Sequence, residues 1–219
     1  MERSSIETLQ NNSTYKEWDE CSDRRMLIIL ALNHGNANFQ HELWLSPGLV
    51  NLGMNLENQG TKLIYYTVRE SKDTATTIIS AILGEILAWD LNFFNWEKQL
   101  VKNALHTKQD GDVKLQWRFD ILEELLAAWF SMNRDEEVYL IIERADRCVM
   151  PRDENKKACL KTFLLYMMKV LAQARGKFKI LILADESYWP RNWDVQSWSY
   201  EYGESILLVE SEWRQGSFM

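Results

Sequence analysis

The stretch Val138-Tyr-Leu-Ile-Ile-Glu-Arg-Ala-Asp-Arg-Cys148 joins a short apolar run to a cluster of acidic and basic residues. Other brief, continuous runs occupy residues 26–32, 62–68, 178–184 and 205–209. They consist mainly of aliphatic, β-branched and aromatic residues, and do not alternate regularly with polar ones. Because a strand covered on both faces is apolar at successive positions, these runs predict buried strands of a parallel sheet.

Amphipathic helical patterns separate the runs. They cover residues 73–87, 100–105, 119–129 and 153–175, and Asp73 is the expected N-cap of the first. Strands that alternate with helices predict βαβ units and therefore an open α/β sheet. Pro47-Gly48 falls in the expected first crossover helix, so we expect that helix to be kinked or split.

Composition restricts the classes of protein and partner. The chain has 219 residues, of which 46% are hydrophobic and 26% charged, which predicts one folded domain or at most two. Its 25 basic and 32 acidic side chains give a net charge of −7, which disfavours nucleic acid as the main partner. No apolar run is long enough to cross a bilayer, so we expect no membrane partner.

The cysteines and histidines favour neither a disulfide framework nor a metal site. Cys21, Cys148 and Cys159 form no C-x-x-C pair and follow a polar leader, which indicates a reducing, cytoplasmic setting. The three histidines lack the spacing of a metal-ligand set. We therefore expect no metal ligands, and we expect Cys148 and Cys159 to be buried, inert thiols.

Several segments occur in an order typical of one family. They are Tyr15-Lys-Glu-Trp18, the run and loop at residues 26–39, the strand and helix start at 63–79, the stretch at 138–148 and the run at 177–185. Over residues 15–209 the chain resembles the NACHT-type STAND P-loop NTPases of fungal NLR-like proteins. The resemblance implies a five-stranded parallel sheet of order 5-1-4-3-2 with helices on both faces, of P-loop NTPase type. It places this domain at residues 26–219, after an N-terminal polar segment at 1–25.

The loop after the first run departs from the family's phosphate-binding sequence, G-x-P-G-K-G-K-[ST]. The corresponding residues are Asn33, His34, Gly35, Asn36, Ala37, Asn38 and Phe39. The resemblance puts Asn38 in place of the lysine that reaches the phosphates, and Phe39 in place of the hydroxyl residue that binds Mg²⁺. Both anchors of a Mg-nucleotide are therefore missing.

The other motifs of the resembled family are altered as well. In the Walker B segment, Glu143 stands at the position of the Mg²⁺-binding Asp, Asp146 matches the second Asp, and Arg147 replaces the acidic residue that polarises water. Asp185 stands where the sensor strand carries Arg. Arg147 cannot act as a base because its guanidinium stays protonated. The resemblance thus implies a vestigial nucleotide site with no catalytic residue, no metal and no cofactor.

The same charged residues allow another interpretation. Glu143 with Arg144, and Asp146 with Arg147, could form a closed salt-bridge cluster where metal and phosphate are bound in the family, and Asp185 could join through Arg147. Farther along the chain, we expect Trp189 to pack over the vacant nucleotide crevice. We expect Trp193 or Trp198 to be partly exposed as a partner contact.

Three functional hypotheses follow. The first is a non-catalytic interaction or regulatory module whose partner is a protein, such as a related NTPase or NLR-like protein. The alternative is a switch that binds ATP or GTP with Mg²⁺ but does not hydrolyse it efficiently. The third is a product without a selected biochemical role.

Overall fold

Five parallel strands form the centre of the structure. The computed structural model describes residues 7, 9–31, 46–69, 73–89, 120–121, 124–125, 128–129, 133, 135–149, 156–174, 176–189, 193 and 206–210. The strands are β1 (Arg25–Ala31), β2 (Lys62–Thr67), β3 (Glu137–Glu143), β4 (Lys177–Asp185) and β5 (Ile206–Glu210). The helices are α1 (Ser13–Glu20), α2 (Ser46–Asn58), α3 (Ala75–Trp89) and α4 (Lys156–Gln173).

The strand order is β2-β3-β4-β1-β5, and every neighbouring pair is parallel. Read from the other edge, this is 5-1-4-3-2. The register places Ile28 opposite Ile182 on one side of β1 and opposite Leu208 on the other. The predicted α/β class, five-stranded parallel sheet and strand order are confirmed.

Helices cover both faces of the sheet, as predicted. Side chains of α3 and α4, including Ile82 and Phe163, pack on one face with Ile28 and Leu140. Side chains of α1 and α2 pack on the opposite face, against the alternate strand residues, which include Leu27 and Ile141. Because successive side chains of a strand point to opposite faces, β1, β3 and β4 are buried along nearly their whole length.

The N-terminal polar segment contributes a packed helix to this core. Asn12 caps α1, its Oδ1 accepting hydrogen bonds from the backbone N–H groups of Thr14 (2.9 Å) and Tyr15 (3.1 Å). Trp18 is fully buried, and its Nε1 donates to the carbonyl of Arg25 at 3.3 Å. The segment before residue 26 therefore supplies part of the cover of one face of the sheet. The domain boundary at residue 26 stays a prediction.

Two details of the helix starts differ from the sequence prediction. Helix α2 runs uninterrupted from Ser46 to Asn58 with Pro47 in its first described turn, so the expected kink or split is not seen within these residues. Proline is accommodated in a first turn, where its missing N–H would have no acceptor within the helix. Helix α3 is capped by Thr74, whose Oγ1 accepts from the N–H of Thr77 at 3.2 Å, and not by Asp73. The Asp73 carboxylate instead accepts the N–H of Arg69 at 2.7 Å.

The remaining helix predictions have different outcomes. Helix α4 confirms the pattern at 153–175, with Leu160, Phe163, Leu164, Met167, Met168 and Leu171 all buried. The pattern at 119–129 is described only in part, and there Ile121, Leu125 and Trp129 are buried. The pattern at 100–105 lies outside the described residues.

Candidate functional site

The carboxyl ends of β2, β3 and β4 meet at one edge of the sheet. Glu143, the last residue of β3, is opposite Thr67 of β2 and Leu183 of β4. The chain then turns through the short 3-10 helix Ala145–Arg147, while β4 leads into a second one, Glu186–Tyr188. Of the residues predicted for the vestigial site, Glu143, Asp146, Arg147 and Asp185 are thereby brought to this edge, where open α/β sheets bind ligands.

Glu143 is held by two hydroxyl groups of the neighbouring strand. Its Oε2 accepts a hydrogen bond from Tyr65 at 3.0 Å and another from Thr67 at 2.9 Å, and the residue is only 5% exposed. Burial, and then the negative charge of Glu143, raise the pKa of Tyr65, so this phenol remains a donor. Tyr65 and Thr67 are not among the residues that the sequence predicts for the site. Their spacing of two residues on a strand, which puts both on one face, is the signal that could have found them.

Asp146 is enclosed by a two-point contact from Arg144. Arg144 Nε donates to Oδ1 at 3.1 Å and Nη2 donates to Oδ2 at 2.7 Å. The two side chains are 6% and 0% exposed. Oδ1 also accepts the backbone N–H of Asp185 at 3.0 Å, so the contact ties the turn after β3 to the end of β4. Although burial lowers the pKa of Arg144, the hydrogen bonds and charge of Asp146 outweigh that effect, and the pKa is raised.

The backbone of Arg144 makes this contact possible. Its φ of 61° is in the left-handed region, and among the residues described it alone, apart from glycines, has a positive φ. Such a conformation reverses the chain directly after the strand, which brings the guanidinium back over a carboxylate two residues later. An uncommon backbone conformation at the carboxyl end of a central strand is typical of functional and strained sites.

The predicted charge cluster therefore exists, with a different arrangement. The expected pairs were Glu143 with Arg144 and Asp146 with Arg147, whereas the two-point contact to Asp146 comes from Arg144. Asp185 joins through its backbone N–H, and its carboxylate accepts from the N–H (2.9 Å) and Oγ (2.6 Å) of Ser187. Arg147 is half-buried in the turn between them. The sequence led us to expect pairs of neighbouring residues. The direction in which each side chain turns is visible only in the tertiary structure.

Other parts of the predicted site have separate outcomes. The loop Asn33 to Phe39 lies outside the described residues, so its role stays a prediction. Trp189 is 9% exposed and packs on the core of the α3–α4 face, with its ring 4.4 Å from that of the partly buried Trp193. Trp198 belongs to the part of the chain that is not described. Cys148 and Cys159 are buried as predicted, and burial raises the pKa of Cys148.

Within the described ranges, no three His, Cys, Asp or Glu side chains form a group that could hold a metal ion. None of the helices described there combines the length and apolar character needed to cross a membrane.

The chain has distant similarity to solved structures. No protein-family model and no curated protein matches the chain. The chain is similar to the ORC2 protein of Aeropyrum pernix in its ADPNP-ADP complexes, with 13% identity, a TM-score of 0.37, and coverage of 95% of this chain and 46% of that one. For the ADP form of ORC2 the identity is 11%, the TM-score 0.38 and the coverage the same. The chain thus spans less than half the length of these solved chains.

Proposed function

We propose that the protein is a non-catalytic, NACHT-like P-loop domain that acts in the cytoplasm as an interaction or regulatory module. Its partner in this proposal is another protein, such as a related NTPase or NLR-like protein. The proposal assigns no catalytic residue, metal or cofactor to the chain. Its support comes from the carboxyl edge of the sheet and from the residues that replace the family's motifs.

The observation that carries the proposal is the state of Asp146. Both of its carboxylate oxygens accept hydrogen bonds from Arg144, one also accepts from Asp185, and the side chain is fully buried. A Mg²⁺ ion needs carboxylate oxygens that can accept it in an octahedral shell together with several waters. Asp146 does not fit that role, because a metal would have to displace a buried guanidinium that contacts both carboxylate oxygens.

Glu143 supports the same conclusion for the other acidic position. One of its oxygens already accepts two hydroxyl hydrogen bonds, from Tyr65 and Thr67. Asn38 and Phe39, which replace the phosphate-binding lysine and the metal-binding hydroxyl, would weaken nucleotide binding further. Arg147 cannot accept a proton from an attacking water. The separate loss of several nucleotide-binding and catalytic residues at one site argues for a domain that no longer binds and hydrolyses nucleotide.

Calorimetric titration with Mg-ATP and with Mg-GTP tests the nucleotide part of the proposal. We expect no binding heat, and no release of phosphate above a buffer control. Binding without phosphate release would favour the switch that retains a nucleotide. Turnover that is abolished by Gly35→Asp would contradict the proposal directly.

A restoration variant tests whether the losses are multiple. We expect the double substitution Asn38→Lys and Phe39→Thr to leave the protein unable to hydrolyse ATP, because Arg147, Asp185 and the Arg144–Asp146 contact remain. The single substitution Asn38→Lys is the matched control for the added charge. Hydrolysis by the double variant would show that the P-loop residues alone account for the loss.

The partner is tested with a NACHT-type NTPase from the same cells. Purified protein is mixed with that NTPase, and complex formation and the NTPase's phosphate release are measured. A regulatory module is expected to form a complex and change that rate. Absence of both effects, across the related NTPases of the cell, would contradict the proposed partner class.

A further inference from the structure

The described sheet ends at β2, whose pairing with β3 uses only one side of the strand. In a parallel ladder, the backbone N–H and C=O groups of successive residues point to opposite sides of a strand. The N–H of Val68, directly after β2, donates to the carbonyl of Glu143 at 2.9 Å. The alternation therefore directs the backbone groups of Leu63, Tyr65 and Thr67 away from β3.

These outward backbone groups are donors and acceptors that a further strand could use. Within the part of the chain that the structure describes, the outward N–H and C=O groups of Leu63, Tyr65 and Thr67 form no hydrogen bond. An edge strand with such a row of groups is a template on which another strand can pair.

An apolar groove lies beside this edge, between α2 and β2. Its cavity of about 130 Å³ is lined mainly by apolar side chains and a glycine, namely Val50, Gly53, Met54, Leu63 and Tyr65, together with Glu57. Val50 and Met54 are 44% and 56% exposed, which is unusual for large apolar side chains of the described residues. Gly53 lets α2 lie close to β2, since a Cβ there would come within 3.1 Å of the Tyr65 ring.

The groove and the outward backbone groups belong to the same residues of β2. Leu63 and Tyr65 pack on the face of the sheet that α1 and α2 cover. In an added strand, the residue opposite Tyr65 has its side chain on that same face, so it enters the groove. A cavity of roughly 150 Å³ can hold benzene, and the groove therefore suits one aliphatic side chain.

The charge at the groove favours a basic segment. Among the described residues that line it, Glu57 carries the only charge, and this side chain is exposed. The whole chain has a net charge of −7. An arginine or lysine two positions from the aliphatic residue of an added strand lies on the same face and can pair with the Glu57 carboxylate. An acidic segment would be repelled.

We propose that the edge of β2 and the adjoining groove bind an extended segment of a partner protein, which adds a strand to the sheet. Main-chain groups of the segment pair with Leu63, Tyr65 and Thr67, an aliphatic side chain fills the groove, and a basic residue faces Glu57. In strand addition, main-chain hydrogen bonds supply affinity and side-chain pockets supply specificity. The inference rests on the proposed function, because it names the surface on which the protein partner binds.

Calorimetric titration of the whole chain with the peptide acetyl-Thr-Arg-Thr-Leu-Thr-Arg-Thr-amide tests this surface. Its two arginines place a positive charge beside Glu57 in either strand direction. We expect the peptide to bind at concentrations up to about 1 mM. Replacement of its leucine by aspartate, or methylation of its backbone nitrogens, is expected to weaken binding about tenfold or more.

Amide hydrogen exchange locates the bound peptide. The outward N–H groups of Leu63, Tyr65 and Thr67 gain acceptors in the complex, so their exchange is expected to slow. Exchange at Ile64 and Tyr66, whose N–H groups point to β3, is expected to change less. Unchanged exchange at the three outward amides would contradict strand addition.

Protein variants test the groove itself. Met54→Lys removes an apolar wall and adds a charge that repels the peptide, so we expect about tenfold weaker binding. Val149→Lys is the matched control, because it adds the same charge at another exposed apolar residue outside the groove lining, and it should leave affinity unchanged. Glu57→Lys is expected to weaken binding, and replacement of both peptide arginines by glutamates is expected to restore it.

The outcomes separate this inference from the proposed function. Failure of the peptide to bind at about 1 mM, or equal weakening by Met54→Lys and Val149→Lys, would overturn the groove. Dimerisation of the protein that Met54→Lys abolishes would overturn it as well, since a second copy would then occupy the edge. A complex with a NACHT-type NTPase that Met54→Lys leaves intact would refute the groove and uphold the proposed function. Peptide binding without any such complex would support the groove and contradict the proposed partner class.

Discussion

The Arg144–Asp146 contact places two opposite charges where neither is solvated. Burying such a pair adds little net stability, because the desolvation of both ions offsets their attraction. Removing one partner is different, since the other remains buried with its charge. The contact therefore fixes the conformation of the turn after β3 more than it adds to the stability of the fold.

Asp146→Ala is expected to lower the free energy of unfolding by about 3–5 kcal/mol, because the buried guanidinium of Arg144 loses its two-point contact with a carboxylate. Glu17→Ala is the matched control, since it removes a carboxylate from the exposed Arg25–Glu17 pair. That change is expected to cost about 0–1 kcal/mol. Urea denaturation measures both. Equal effects would show that burial of the pair is unimportant.

Because of its buried tyrosines, the fold is expected to lose stability at alkaline pH. The pKa values of Tyr15, Tyr65 and Tyr139 are all raised above the ordinary value of 10.0, in each case chiefly by burial. In the unfolded chain these phenols lose their protons first. The contribution of these protonated phenols to the free energy of unfolding is therefore complete below about pH 10. It is lost progressively as the pH rises above that value.

An ultraviolet titration of tyrosinate absorbance tests this dependence. We expect these three tyrosines to stay protonated above pH 10 in the folded protein, and to ionise only as it unfolds. Tyr65→Phe is expected to reduce by one the number of tyrosines that ionise only on unfolding. Ordinary titration of all three with the fold intact would contradict the prediction.

At the scale of elements, Lys179 connects three of them. Its ammonium group joins the last turn of α1, through the Asp19 carbonyl, to Glu137 and Tyr139 of β3. A cation at the carboxyl end of a helix also complements the helix dipole. One residue of β4 thereby fixes the helix that covers Leu27 and Ile29 of β1.

Lys179→Met keeps most of the side-chain volume and removes the charge. We expect it to destabilise the fold by about 1–3 kcal/mol, through the loss of the hydrogen bonds that the ammonium group donates. Hydrogen exchange of the α1 amides is expected to accelerate, while that of α4 stays unchanged.

Lys177→Met is the control, because Lys177 is exposed on the same face of the same strand. It should leave exchange in both helices unaltered. Equal acceleration in α1 and α4 after Lys179→Met would indicate a global effect, and would show that Lys179 does not specifically hold α1.

At the scale of the whole molecule, two clusters of buried side chains share one sheet. The α3–α4 face contains Phe163, and the α1–α2 face contains Trp18. The strands contribute alternate residues to each cluster, so neither face can lose its packing without disturbing the strands that support the other. This arrangement favours unfolding in a single cooperative transition.

Trp18→Ala and Phe163→Ala are each expected to cost about 3–5 kcal/mol. Both should shift the same urea transition, with circular dichroism and tryptophan fluorescence remaining coincident. Val50→Ala, at an exposed position of α2, is the control and is expected to shift it little. A separate early transition in Trp18→Ala alone would show that the two faces unfold independently.

The sequence by itself determined the strands and their order along the chain. The runs at 26–32 and 138–142 are apolar at successive positions because both faces of their strands are covered. Such a pattern can be recognised from consecutive residues alone. The resemblance of the motifs supplied the strand order, which the pairing of β1 with β4 and β5 confirms. The site residues 143, 146, 147 and 185 could be placed because the carboxyl ends of parallel strands meet at one edge.

Only the tertiary structure decided which polar groups pair. Arg144 takes a left-handed conformation and contacts Asp146, and Glu143 binds Tyr65 and Thr67 from another strand. A lysine in an otherwise apolar run, Lys179, is buried because α1 and β3 supply its partners from distant parts of the chain. Side-chain polarity is a local property, but a hydrogen bond needs two groups at a defined distance and angle, and that geometry exists only after the chain has folded.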